Sequence, residues 1–202
     1  MEAIGSLSVE NMRKVFRYEF IGEPALDAGG VSREFYSLIF EQACNPDVGL
    51  FLYSSANQMC VHMNANSGIV DSSHLKYYHM LGRVLGKALM DGQITPVHFV
   101  QPLYKHMMGW PISLSDIQHI DGDVYKNLSD LVDFDDVGAL YLDFTVAEDH
   151  MGQLETVELV PGGGDKSVDN SNLSEYLDAQ VKYRLLSRIS AQLNAFLRGF
   201  YD

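Results

Sequence analysis

Cysteine is scarce: Cys44 and Cys60 are the only two in 202 residues. Two cysteines make neither a disulfide framework nor a zinc cluster, so the chain fits a reducing compartment, the cytoplasm or the nucleus. Basic residues are also few, 14 Lys and Arg against 27 Asp and Glu, for a net charge of −13. They are scattered rather than clustered, which argues against nucleic acid or an anionic membrane surface as a partner. No apolar run approaches the length of a bilayer span, so no membrane insertion is expected. The opening MEAIGSLSVENMRKVF has no basic end leading into an apolar stretch, so no secretory signal is read there; in an excised piece of a longer chain that absence would say little. What remains is 47% hydrophobic and 20% charged. That balance suits a globular chain able to bury a core, with one domain or one domain and a small subdomain.

Periodicity then divides the chain. VFRYEFIG alternates Phe16, Tyr18 and Phe20 and reads as a strand. Val31, Phe35, Leu38, Ile39 and Gln42 share one helical face. Between the two, Gly29 and Gly30 suggest a turn at positive φ, with Glu23 and Asp27 placed to favour a helix N-terminus. GLFLYSSANQMCVHMNANSG reads as a hairpin, Met59, Val61 and Met63 alternating, and Ser72 or Ser73 suits a helix cap. In HLKYYHMLGRVLGKALMDG one face carries Leu75, Tyr78, Leu81, Leu85 and Leu89, while Gly82 and Gly86, four apart, admit another backbone at close range.

Further on, Thr95-Pro96 reads as a helix opening and Pro102 as a kink or division of that helix. Trp110-Pro111 ends it, and a short helix follows Ser113. Val124, Leu128, Leu131 and Val132 have helical spacing, LYLDFTV alternates as a strand, and ETVELVPGGGDKS reads as a strand entering a glycine-rich turn. From Asn172 one long helical pattern runs to the end through Leu173, Tyr176, Val181, Leu185, Ile189, Leu193 and Phe196. The sum is an α+β fold, mainly helical with short β-hairpins.

Self-contained chemistry is hard to find. PGGGDKS has Asp165 where a phosphate loop needs none, between the last glycine and Lys166, and reads as a mobile connection. The seven histidines form no pair at metal-ligating spacing with an acidic helper. Neither cysteine sits at a helix N-terminus or beside a base that would lower its pKa. No GxSxG nucleophile turn is present.

Five stretches nevertheless come in a telling order: EFIGEPALDAGGVSREFYSLI, NPDVGLFLYS, HLKYYHMLGRVLGKAL, PLYKHMMG and AQLNAFLRGF. Together they resemble the N-terminal lobe of a HECT-type ubiquitin ligase over nearly the whole chain. The resemblance implies a two-step transferase. Ubiquitin passes from a ubiquitin-conjugating enzyme to a ligase cysteine as a thioester, then to a substrate lysine. That cysteine lies in a separate C-terminal lobe beyond LRGFYD, so the chain by itself is expected to be inactive, without a catalytic residue of its own. No metal or organic cofactor is implied, and protein substrates would be recruited by regions outside this chain.

The same resemblance implies a large subdomain, residues 1–122 and 182–202, and a small inserted one, 123–181, that docks the conjugating enzyme. Matching the motifs carries Leu128, Leu131, Phe134, Leu140, Leu142, Tyr176 and Gln180 onto its groove, with Tyr176 and Phe134 expected to face outward. Asp133, Asp135 and Asp136 would rim it and meet basic residues of the partner. Met59 and Val61 fall near the strand where some members hold a second ubiquitin. Two other readings stay open at this level: a helical interaction adaptor unrelated to ubiquitin, and a nucleotide-dependent enzyme built on PGGGDKS.

Overall fold

A computed structural model of the chain describes residues 2–18, 28–150 and 152–202. In chain order the elements are α1 (Glu2–Gly5), α2 (Val9–Met12), α3 (Ala28–Ala43), β1 (Phe51–Tyr53), β2 (Cys60–Met63), α4 (Ser67–Val70), α5 (His74–Met90) and β3 (His98–Phe99). Then come α6 (Gln101–Met108), α7 (Gly122–Asp130), β4 (Thr145–His150), β5 (Gln153–Glu158), α8 (Leu173–Leu185) and α9 (Ser190–Tyr201). Short 3-10 turns join several of them. The fold is α+β, helices with a three-stranded and a two-stranded sheet among the described residues. No described helix is long and apolar enough to cross a membrane.

The chain divides into two compact units, Met1–Tyr53 with Met59–Phe99 and Ser190–Asp202, and Ser54–Gln58 with Val100–Ile189. The second is wider at both ends than the 123–181 segment read from the sequence. It begins at α6 because that helix packs on the 3-10 turn Leu114–His119, and it keeps all of α8.

In the first unit α5 and α9 form the centre. Gly82 and Gly86 lie where a Cβ would strike the carbonyl oxygens of Phe196 and Phe200, and Gly199 lies against the His79 carbonyl, so the two helices meet backbone to backbone. Against them the sheet runs β1-β2-β3, antiparallel and then parallel, with Phe51 opposite Met63 and Val61 opposite Phe99. Alternation turns Phe51, Val61, Met63 and Phe99 inward, and Tyr36, Phe40, Tyr78, Leu81, Leu193 and Phe196 complete the core. Burial pushes the Tyr78 phenol up to about 12, and its hydroxyl donates to the Leu50 carbonyl.

Two cations are buried here, as no hydropathy pattern would suggest. The Arg83 guanidinium donates to the carbonyls of Ile4, Gly5 and Leu7 at 2.7–3.1 Å. Its Nε lies 3.1 Å from Asp202 Oδ2, an ion pair whose geometry is too poor for a hydrogen bond. One turn later Lys87 donates to the Lys14 carbonyl (2.8 Å) and to Asp91 (2.7 Å), over the Phe16 ring.

Several local expectations change. Gly29 and Gly30 lie inside the first turn of α3 with no positive φ, since a helix already satisfies the backbone there. Residues 15–18 are irregular rather than a strand, and the Tyr18 ring instead packs 4.4 Å from Phe35. Phe20, Glu23 and Asp27 lie outside the described residues. The inward face of α3 is Tyr36, Phe40 and Ala43, a rotation that leaves Leu38 exposed. Ser73 stands at the N-cap of α5 without a side-chain bond. Thr95-Pro96 opens no helix, and Pro102 begins α6 in the first turn, where its missing N–H leaves no bond unmade. LYLDFTV becomes strand only at Thr145. The C-terminal pattern breaks at Leu186 (φ −135°, ψ −62°) into two helices.

Candidate functional site

The second unit is built around Phe144, fully buried, with Tyr176 edge-on at 5.4 Å and Val137, Ile117, Val168 and Leu185 about it. Upstream, Ser113 and Asp116 form a reciprocal cap on the 3-10 turn Leu114–His119. Buried Asp116 also pairs with Lys105 at 2.8 Å. Burial raises its pKa, but the hydrogen bonds from Lys105 and Ser113 outweigh that and hold the carboxyl below its ordinary value.

Asp121 caps α7, its Oδ1 accepting from the amides of Asp123 and Val124 at 3.1 and 3.0 Å. Along α7, Val124, Leu128 and Leu131 turn toward the core at helical spacing, Leu128 buried and the other two half-buried. A 3-10 turn, Leu131–Asp133, ends the helix, and Phe134 is extended. Asn170, 36 residues further on, then holds the chain with its side-chain amide. Nδ2 donates to the Asp135 carbonyl at 3.0 Å and, more weakly, to that of Phe134 at 3.5 Å, while Oδ1 accepts from the Val137 amide at 2.8 Å. A second 3-10 turn, Val137–Leu140, closes on Tyr141, and Leu142 returns to the core, its carbonyl accepting from the Val168 amide at 2.8 Å.

The outcome is a short exposed segment, residues 130–141, in which Val132, Phe134, Leu140 and Tyr141 are exposed together with Asp130, Asp133, Asp135 and Asp136. Of the residues assigned to the groove, Phe134 (45% exposed) and Leu140 are on this surface. Leu131 and Leu142 are half-buried beneath it. Leu128, Tyr176 and Gln180 are core. The Tyr176 ring, expected to face outward, retains 6% exposure because Phe144 claims its face, and burial raises its phenol. Its hydroxyl accepts from Gln180 Nε2, whose Oε1 accepts from Arg184 Nε, both at 2.9 Å. Thus Gln180 serves a buried polar chain. Arg188 and Glu148 form an ion pair at 2.9 Å in the same unit. In the first unit Val61 is buried in β2, whereas Met59, just before that strand, is 76% exposed. Val132, Tyr141 and Asn170 were missed by sequence reasoning. An apolar residue at helical spacing looks like core, and nothing local marks Asn170 as a distant clamp.

The glycine-rich turn is structured and occupied. The Glu158 carboxylate accepts from the amides of Gly162 and Gly164 at 3.1 and 3.2 Å, taking the donors a phosphate would need. Lys166 lies over the Phe144 ring and bonds Glu175 at 2.6 Å. This arrangement does not suit a nucleotide. Cys44 is buried and its thiol pushed well up by desolvation.

The HECT-domain (ubiquitin-transferase) family matches residues 37–202. The chain is 36% identical over 195 residues to the probable E3 ubiquitin-protein ligase hulA of Aspergillus fumigatus, covering 96% of this chain and 24% of that protein. It is 38% identical over 184 residues to the E3 ubiquitin-protein ligase NEDD4 of Homo sapiens (91% and 14%). It is also 35% identical over 195 residues to the E3 ubiquitin-protein ligase pub3 of Schizosaccharomyces pombe (96% and 25%). The chain therefore belongs to the HECT-domain family. It spans a quarter or less of the length of these relatives.

Proposed function

We propose that this chain is part of a HECT-type ubiquitin ligase and that its second unit docks a ubiquitin-conjugating enzyme. The reaction we infer is that of a HECT-type ligase. A ligase cysteine thiolate attacks the thioester carbonyl of ubiquitin, expelling the conjugating enzyme's thiolate, and a substrate lysine amine later attacks the new thioester. The acceptor cysteine is assigned to a C-terminal lobe outside these residues, and substrates to other regions of the protein, in the cytoplasm or nucleus. Docking would rest on Phe134 and Leu140 at the surface, with Leu131 and Leu142 supporting them from below. Leu128, Tyr176 and Gln180 act as the foundation rather than as contacts. Met59 is the remaining candidate for a second ubiquitin contact.

The observation that carries the reading is the exposure of four apolar side chains among four carboxylates within residues 130–141. Apolar anchors that leave water on binding provide affinity, and the carboxylates guide a basic partner to them. The test is calorimetric titration of the chain with a panel of ubiquitin-conjugating enzymes. At least one should bind, and Phe134→Ala should weaken it by about tenfold or more while the melting temperature holds. If no member of the panel binds the parent chain, the docking reading fails and a ubiquitin-independent adaptor takes its place.

A further inference from the structure

Tyr141 is the one described residue other than glycine with a positive φ, at φ 52° and ψ 37°. Elsewhere among the described residues such a conformation falls on glycine, at Gly49, Gly92, Gly109, Gly152 and Gly162. A side chain there crowds the backbone, and asparagine or glycine closes such a turn with less strain. The fold gains little from the tyrosine in return, because the residue is 93% exposed and outside the buried cluster that Leu142 joins. Strain retained without packing to offset it marks a position held for contact with something else.

The surroundings present the ring on a fixed support. The preceding segment is tied by Asn170 at the Asp135 carbonyl and the Val137 amide, the Tyr141 amide closes on Gly138, and the next residue is tied through its carbonyl to Val168. An aromatic side chain with two torsions, carried on an ordered turn, loses little freedom when it is buried by a partner. Leu140 beside it is also exposed, and Asp135 and Asp136 precede the turn.

We propose that Tyr141 is a principal anchor of the docking surface, its ring entering an apolar slot bordered by Lys or Arg on the ubiquitin-conjugating enzyme. Asn170 is a positioning residue for the loop that carries it. This inference rests on the docking reading and adds to it the residue on which affinity and partner choice depend.

The experiment titrates the 202-residue chain and its variants with the conjugating enzyme that binds the parent most tightly, with thermal melts in parallel. Tyr141→Gly and Tyr141→Asn should lose about tenfold or more in affinity. They should melt at or above the parent temperature, because strain is relieved. Tyr141→Phe should bind within about twofold of the parent, since the ring and not the hydroxyl is the anchor. Should Tyr141→Gly bind like the parent while Phe134→Ala is weakened, the anchor is overturned and the docking reading stands. Should both bind like the parent, the docking reading falls and the anchor with it. A clear drop in melting temperature for Tyr141→Gly would make the ring a structural element and overturn the proposal, as would a loss in Tyr141→Phe equal to that in Tyr141→Gly.

Discussion

Tyr176 and Asp116 show how a residue's neighbours outweigh its type. Tyr176 heads α8 with an edge on Phe144 and a hydroxyl bonded to Gln180. Removing the ring empties core volume, so Tyr176→Ala should cost about 3–5 kcal/mol of stability in denaturant titration. Tyr176→Phe removes only the acceptor for Gln180 and should cost about 1 kcal/mol. Asp116 supplies a pH dependence whose sign is fixed by its partners. Its pKa is lower folded than unfolded, so its contribution is full above the ordinary carboxylate value of 3.8 and is lost as pH falls through the lower folded value. Asp116→Asn should therefore lower stability by about 1–3 kcal/mol at neutral pH, with a smaller gap from the parent in strong acid. Melts from pH 7 down to pH 2 would measure it; a gap constant across that range would refute the assignment.

At the scale of elements, glycine has two meanings that spacing alone does not separate. Gly82 and Gly199 are required by the contact of α5 with α9, where a Cβ would overlap backbone that cannot yield. Gly82→Ala should cost about 1–3 kcal/mol or more, visible in a thermal melt as early unfolding. Gly30 lies exposed in the first turn of α3 and serves no positive φ. Alanine restricts the unfolded chain there without straining the helix, so Gly30→Ala should raise stability by about 0.5–1 kcal/mol. Gly82 and Gly86 were legible as a close-packing pair because four residues return to one helical face. The break at Leu186 was not, because apolar residues keep their helical interval across it while the backbone leaves the helix.

For the whole molecule, charge matters more to encounter than to fold. With a net charge of −13 and exposed carboxylates at Asp130, Asp133, Asp135 and Asp136, the association rate with a basic conjugating enzyme should fall several-fold as salt rises. Between 10 and 150 mM the screening length shrinks from about 30 Å to about 8 Å. Dissociation should change little, which stopped-flow traces at several salt concentrations would separate. The chain should also form no ubiquitin thioester of its own when mixed with activating enzyme, conjugating enzyme and ubiquitin. Cys44 is buried with its thiol pushed up, which withholds the thiolate. A reductant-sensitive adduct on a gel, abolished by Cys60→Ser, would contradict this.

The sequence by itself determined what depends on short range: the α+β class, the helices α3, α5 and α7, the hairpin containing Val61, the short helical turn after Ser113, and a family resemblance carried by contiguous motifs. Each of these is set by period, turn chemistry or neighbours within a few positions. Only the tertiary structure decided which candidates face solvent. Tyr176 turns inward because Phe144, 32 positions earlier, takes its ring. Phe134 stays out on a loop that Asn170, 36 positions later, holds in place. Arg83 and Lys87 are buried because carbonyls more than 70 positions away accept their hydrogens. Tyr141 takes a left-handed turn because the chain must close Val137–Leu140 and return Leu142 to the core. Each outcome depends on groups remote in sequence, and local propensity does not encode them.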